Sequence, residues 1–223
     1  MSAPPPVPPP VPPPVPPPGP ASGAQPAPPQ LDQTYRDQDW YGEALTSRTY
    51  EGCTFSQVDL TEAINKGSVF HRCTFTNVKF NASSHTDAAF TQCTFRGCNF
   101  FDAELTGCKL VGSSFTDCAL RPLRVTGGDW SFVGLSGADL RGARFESVRM
   151  RESDLSRANC AQSGFTDCDL SGAQLDGIRF GKADLRGADL SALNPLAAQV
   201  ADAVIRPEQA VVIAQVLGFQ VRD

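Results

Sequence analysis

Large apolar side chains recur every five residues from Trp40 to Leu190. Of the 31 positions in that span whose number is a multiple of five, only Asn65 and His85 are polar, and eleven of the chain's 14 phenylalanines lie in this column. A second column runs two residues ahead of it. Of its 28 positions from Cys53 to Ala188, all but Leu123 and Ile178 hold Ala, Cys, Ser, Val or Gly. Five residues of α-helix turn about 500°, so such positions make no stripe on a helix. In a flat strand an odd period would switch faces at every step. The chain must therefore change direction once per unit. A small and a large residue two apart point inward from a short extended piece, and the remainder forms a corner. Glycine is frequent there, as in Leu135-Ser136-Gly137-Ala138-Asp139.

A longer period lies on top of the short one. Cys-Thr-Phe occurs at 53–55, 73–75 and 93–95, a separation of 20 residues, and Phe115 continues the column. Identical side chains at that interval imply four pentads per coil with equivalent positions stacked about 4.8 Å apart. The 31 units then make nearly eight coils, a rod of roughly 37 Å. The expected fold class is all-β, a quadrilateral parallel β-helix over residues 38–205. The register never slips, so no loop interrupts it. Asn65 and His85 are 20 apart, hence neighbours on one side, and read as a satisfied polar pair or a local outward flip. Pro122 lacks the N–H that a stacking bond needs, which predicts a local bend there. The small Gly128 is expected to make room for Trp130.

The two ends differ from the middle. Residues 1–30 hold 16 of the 19 prolines, mostly in Val-Pro-Pro-Pro units, and no charge. Such a segment adopts polyproline II and cannot build a core. Residues 1–37 are read as tail and lead-in, a stiff spacer or a ligand for an aromatic groove. At the other end the period changes in residues 206–223. Pro207 suits a first helical position and Gly218 a stop, which predicts a helix over 208–217. Apolar residues surround that helix, so it should be buried all round. One side can cover the rod's core, and a second copy of the chain would cover the other. The residues expected at that dimer interface are Val211, Val212, Ala214, Leu217 and Phe219, with Phe219 and Val221 alternating as a brief strand.

Several chemistries are set aside. The net charge is −5, from 24 acids against 19 bases, which argues against direct nucleic-acid binding through a basic patch. No run approaches the roughly 18 apolar residues of a membrane helix, and residues 1–30 lack a secretion signal's basic start and apolar stretch. The expected location is the cytoplasm. Seven of the eight cysteines fill the small inward slot and Cys160 a central one, which makes them core filler rather than metal ligands. His71 and His85 have no nucleophile motif beside them. No enzyme activity, cofactor or metal is expected.

These columns resemble the pentapeptide repeat family, and that resemblance implies a right-handed quadrilateral β-helix. Three stretches are most similar to its fluoroquinolone-resistance branch, MfpA and its relatives, and the unbroken register resembles these more than the loop-carrying Qnr proteins. The stretches are Leu120-Arg121-Pro122-Leu123, Arg149-Met150-Arg151-Glu152-Ser153-Asp154-Leu155, and the C-terminal helix opening at Gln209-Ala210 and stopping at Gly218. The resemblance implies a homodimer joined through its C-terminal ends. It also implies a DNA mimic that binds and inhibits DNA gyrase and relieves quinolone poisoning, with topoisomerase IV left open as a second target. The acids that could face gyrase are Asp129, Asp169 and Asp189, at spacings of 20 or 40 with Arg149 interrupting, and Glu152 nearby. A non-catalytic interaction rod with another partner is the alternative.

Overall fold

The computed structural model describes residues 28–222. The Val-Pro-Pro-Pro units lie outside the described residues, and so do both readings of them. The chain winds as a parallel β-solenoid whose strands are two to four residues long. Every ladder pairs a residue with the one 20 positions on: Thr34 with Thr54, Phe55 with Phe75, Asn65 with His85 and Phe145 with Phe165. Four pentads per coil is therefore the observed arrangement. One wall is a four-stranded sheet spanning Gln30–Leu31 to Ala89–Thr91. The second has five strands, from Thr34–Arg36 to Ser114–Thr116, and the third seven, from Ala44–Thr46 to Gly164–Thr166. The fourth wall carries single bridges, such as Asp39 to Asp59 and Asp59 to Lys79.

The winding begins upstream of residue 38, where the tail was expected to end. Gln30 already pairs with Tyr50 and Thr34 with Thr54. Tyr35 fills a central slot one unit before Trp40, and its ring stacks on Phe55 at 4.9 Å. At the far end the coil continues past Pro195, with bridges from Arg179 to Gln199 and from Asp184 to Val204.

Both inward columns form the core. Every multiple of five from Leu45 to Leu190 is buried, Asn65 and His85 included. The phenylalanines stack face to face along the axis. The Phe55–Phe75, Phe75–Phe95 and Phe95–Phe115 centroids are 4.8, 4.8 and 4.6 Å apart. Parallel coils place identical rings at the strand spacing, where offset stacking is favourable. Most corners take a left-handed backbone two residues after the central position, for instance +51° at Asp87 and +69° at Gly137, with Pro122 and Ala192 among the exceptions.

Asn65 and His85 stay inward and pair, at 3.2 Å between Asn65 Nδ2 and His85 Nδ1. Asn65 donates there, so His85 Nε2–H donates to Ser83 Oγ at 2.9 Å, and Ser83 passes its own proton to the Phe80 carbonyl at 2.7 Å. This chain of donors fixes the neutral tautomer, and burial lowers the His85 pKa to about 4. Gly128 is small for a different reason from the one expected. A Cβ on it would lie 2.1 Å from the Cys108 carbonyl oxygen, so the coil above dictates glycine rather than Trp130.

The fourth wall opens near Pro122. Phe115 N–H still donates to the Gly134 carbonyl and Gly127 N–H to Glu146. The intervening rungs from Asp117 to Ser136, from Asp139 back to Cys118, and from Leu120 to Asp139 are not made. A cleft of about 310 Å³ lies there, with Phe115, Cys118 and Leu120 on one lip and Ser136 to Asp139 on the other. Arg121 spans it through an ion pair with Asp139 at 3.2 Å.

The C-terminal helix runs Pro207–Val216 and stops at Gly218, whose φ is +87°. Gln209 is its one buried residue and closes the last coil. Its Oε1 accepts from the Gly187 and Arg206 amides at 3.1 and 2.7 Å. Its Nε2 donates to the Leu185 and Ala188 carbonyls, both at 2.8 Å. One amide side chain thus bonds four backbone groups where the last coil meets the helix. Ile213 covers the apolar end formed by Leu185, Leu190, Leu193, Val200, Ala203 and Ile205. The helix is not buried all round in the single chain, and residues 219–221 form no strand.

Candidate binding surface

Outward carboxylates in this fold are placed by the turns. Asp129, Asp169 and Asp189 each precede a central residue, and each is followed two positions on by serine. Asp129 Oδ1 accepts from the Ser131 amide at 3.0 Å and its hydroxyl at 2.6 Å. Asp169 does the same with Ser171, at 3.2 and 2.6 Å. Asp189 accepts from the Ser191 amide at 2.9 Å. The three acids are turn-forming groups as well as surface charges. The Asp-X-Ser tripeptide was the sequence signal for this role, and the reading by charge alone passed over it.

The column also carries its own cations. Lys109, Asp129, Arg149 and Asp169 follow one another through backbone bridges. Arg149 pairs with Asp129 at 3.1 Å, and Arg151 with Asp169. Burial would raise both carboxyls, but hydrogen bonds from the serine and from the arginine outweigh it and hold each below the ordinary aspartate range. Both remain charged at neutral pH, and both are partly compensated. Asp189 accepts no ion pair among the described residues. Glu152 projects from the next corner, exposed, with a left-handed backbone of φ +51°. The structure thus brings Asp129, Asp169 and Asp189 onto one wall with Glu152 at its edge, in alternation with Arg149 and Arg151. Ion pairs also dress the other walls: Asp184 with Arg186, Asp59 with Lys79, and Arg124 with Asp102 and Glu104.

The residues read as a dimer interface lie at the rod's C-terminal end. Val211, Leu217 and Phe219 are 40%, 41% and 67% exposed, whereas Val212 and Ala214 are half-buried. Val204 and Val216 extend the same exposed apolar area.

Among the described residues no group of three or more His, Cys, Asp or Glu could hold a metal ion. All eight cysteines are free thiols, seven of them buried. Burial pushes the Cys108 and Cys168 thiols up to about 11, away from reactive thiolate. No described helix is long and apolar enough to cross a membrane.

Geometry therefore defines a class: a four-sided solenoid with a filled core and a patterned, charged exterior. Family models agree. The pentapeptide repeat region model matches residues 98–175, and the eight-copy pentapeptide repeat model matches residues 163–194. Residues 98–194 are therefore pentapeptide repeats, and they lie within a parallel β-solenoid. No curated protein sequence matches it. Among solved structures it is similar to HetL, a pentapeptide repeat protein involved in heterocyst differentiation regulation in the cyanobacterium Nostoc. The two are 22% identical over 78% of this chain and 85% of that one, with a TM-score of 0.43. It is also similar to QnrB1, a plasmid-mediated fluoroquinolone resistance protein, at 15% identity over 85% of this chain and 99% of that one, with a TM-score of 0.41.

Proposed function

We propose that this chain is a non-catalytic DNA mimic that binds DNA gyrase, inhibits it and protects it from quinolone-type poisons, two copies acting as one rod joined at their C-terminal ends. The observation that carries the reading is the row of turn-fixed carboxylates at Asp129, Asp169 and Asp189 along an unbranched rod of net charge −5. Each carboxylate is positioned before a partner arrives, which lowers the ordering cost of binding a surface built for phosphates. The three sequence stretches similar to the fluoroquinolone-resistance branch name gyrase as that surface. The apolar C-terminal end supports the joining of two copies.

A second reading is favoured by Arg149 and Arg151, which pair with Asp129 and Asp169. A wall of alternating sign suits a partner that carries both charges, and the chain is then an interaction rod without a gyrase role. Supercoiling by purified gyrase, titrated with wild type and with Asp129→Asn/Asp169→Asn/Asp189→Asn, separates the two. Asparagine keeps the turn acceptor and removes the charge, so the rod stays folded. Mimicry requires inhibition by wild type that weakens with added salt and is lost in the triple variant. No inhibition at micromolar wild type leaves the interaction rod. Equal inhibition by both proteins keeps gyrase as partner and removes this wall as the site.

A further inference from the structure

The N-terminal end of the rod is an aromatic platform. Tyr35 heads the phenylalanine stack, with its lower face on Phe55. Trp40 meets Tyr35 edge-on at 5.2 Å and lies 6.4 Å from Tyr50 at a tilt of 38°. Beside these rings is a cleft of about 240 Å³ lined by Trp40, Glu43, Leu45, Arg48 and Tyr50. Both Tyr35 and Trp40 are only partly buried, although every later central residue as far as Leu190 is buried. Among the described residues the Trp40 indole N–H donates to no group.

The rim of this platform resists one kind of occupant. Glu51 and Ser56 accept from Asp32 and Asp37 in the coil above, so the Leu31 and Arg36 carbonyls, 20 residues earlier, face outward from the rod's end. Gln33 Nε2 folds back onto the Leu31 carbonyl at 2.9 Å, and Gln38 Nε2 onto Arg36 at 3.3 Å. Two of the acceptors that a further β-coil would need are already used. A polyproline II segment needs no such ladder. It presents proline rings to aromatic faces and leaves its carbonyls free for donors such as an indole N–H.

We propose that the chain's own Val-Pro-Pro-Pro segment, residues 4–18, docks as a polyproline II helix across Tyr35 and Trp40. The occupant is argued from its composition and its point of attachment. The described chain starts at Pro28, on the same end of the rod, and Gln30 pairs with Tyr50 on the platform's edge. Residues 19–27, Gly-Pro-Ala-Ser-Gly-Ala-Gln-Pro-Ala, form the connection. Nine such residues span roughly 17 Å on average, more than the ~10 Å of a three-residue wall strand, so the segment can reach across the rod's end. The segment carries no charge, so it can lie over the aromatic rings between Glu43 and Arg48 without burying an ion.

Trp40 reports the test directly, because the chain has two tryptophans and the other, Trp130, is 1% exposed. Acrylamide quenching of full-length protein is compared with a full-length variant in which Pro8, Pro9, Pro12, Pro13, Pro16 and Pro17 become serine. Docking requires the Trp40 quenching constant of the variant to rise roughly twofold while Trp130 is unaffected. A synthetic peptide of three Val-Pro-Pro-Pro units added to the variant should restore protection, and should fail to do so when Tyr35→Ser is added. Equal quenching in both proteins overturns the proposal. Protection that appears only as protein concentration rises also overturns it, in favour of a second copy on this end.

Discussion

Thr74 and Phe75 are adjacent, yet the ladder turns one to the outer wall and the other into the phenylalanine stack, sandwiched between Phe55 and Phe95. Phe75→Ala should therefore cost about 3–5 kcal/mol, since the coils on either side cannot collapse into the space. Thr74→Ala should cost far less, and urea melts showing equal losses would contradict the inward assignment. His85 gives a pH signature. Its folded pKa, lowered to about 4 from 6.5, lies below that of the unfolded chain. The neutral ring's contribution is thus complete above pH 6.5 and is lost as pH falls toward 4, because the unfolded chain takes up the proton first, a loss of roughly 3 kcal/mol. In Asn65→Leu/His85→Leu the slope of stability against pH between 6.5 and 4 should be correspondingly shallower than in wild type. Which residues point inward was legible in the sequence because one period governs the whole coil. The ion pairs were not. Arg151 reaches Asp169 across a diagonal of 18 residues, and a long side chain choosing among several neighbours leaves no trace in a period of five. Gly128 was misread for a related reason: its constraint comes from the Cys108 backbone, and a side-chain pattern carries no information about backbone approach.

At the scale of elements, the C-terminal helix acts through a single polar residue. Gln209→Ala would leave the Gly187 and Arg206 amides and the Ala188 carbonyl without their partner, while the Leu185 carbonyl keeps the Ala188 amide. Water can reach some of these groups at the rod's end, so the expected loss is about 2–4 kcal/mol. Chemical denaturation measures it. A loss below about 0.5 kcal/mol, the size of an ordinary surface change, would mean that the helix is held by Ile213 alone. The helix was readable from its Pro207 start and Gly218 stop, and its observed span differs from the expected one by a residue at each end. Gln209's function was not, since three of the four groups it bonds lie 21 to 24 residues away. The wall near Pro122 illustrates the same limit. Its missing N–H foretold a disturbance, but three open rungs and a cleft follow from how the two coils settle around it, which no local signal encodes.

At the scale of the molecule, the exposed face of the helix makes a claim about assembly. Val211, Val216, Leu217 and Phe219 form an apolar end on a rod whose walls are charged. A second copy is the proposed cover, and Val211→Glu/Leu217→Glu should convert the dimer to monomer in sedimentation with little change in melting. Wild type sedimenting as a monomer at tens of micromolar would overturn the assembly. The pairing of every residue with its counterpart 20 positions on has a further consequence for how such a chain can change length. Removing or adding one whole coil would move everything beyond it by about 4.8 Å along the axis and leave every wall facing as before. Adding one pentad would instead rotate the rest of the rod by a quarter turn, carrying Asp129, Asp169 and Asp189 to a different side from the coils before them. A single inserted residue would exchange inside for outside. Length in this protein is therefore quantised, and the coil is the smallest step that preserves its surface.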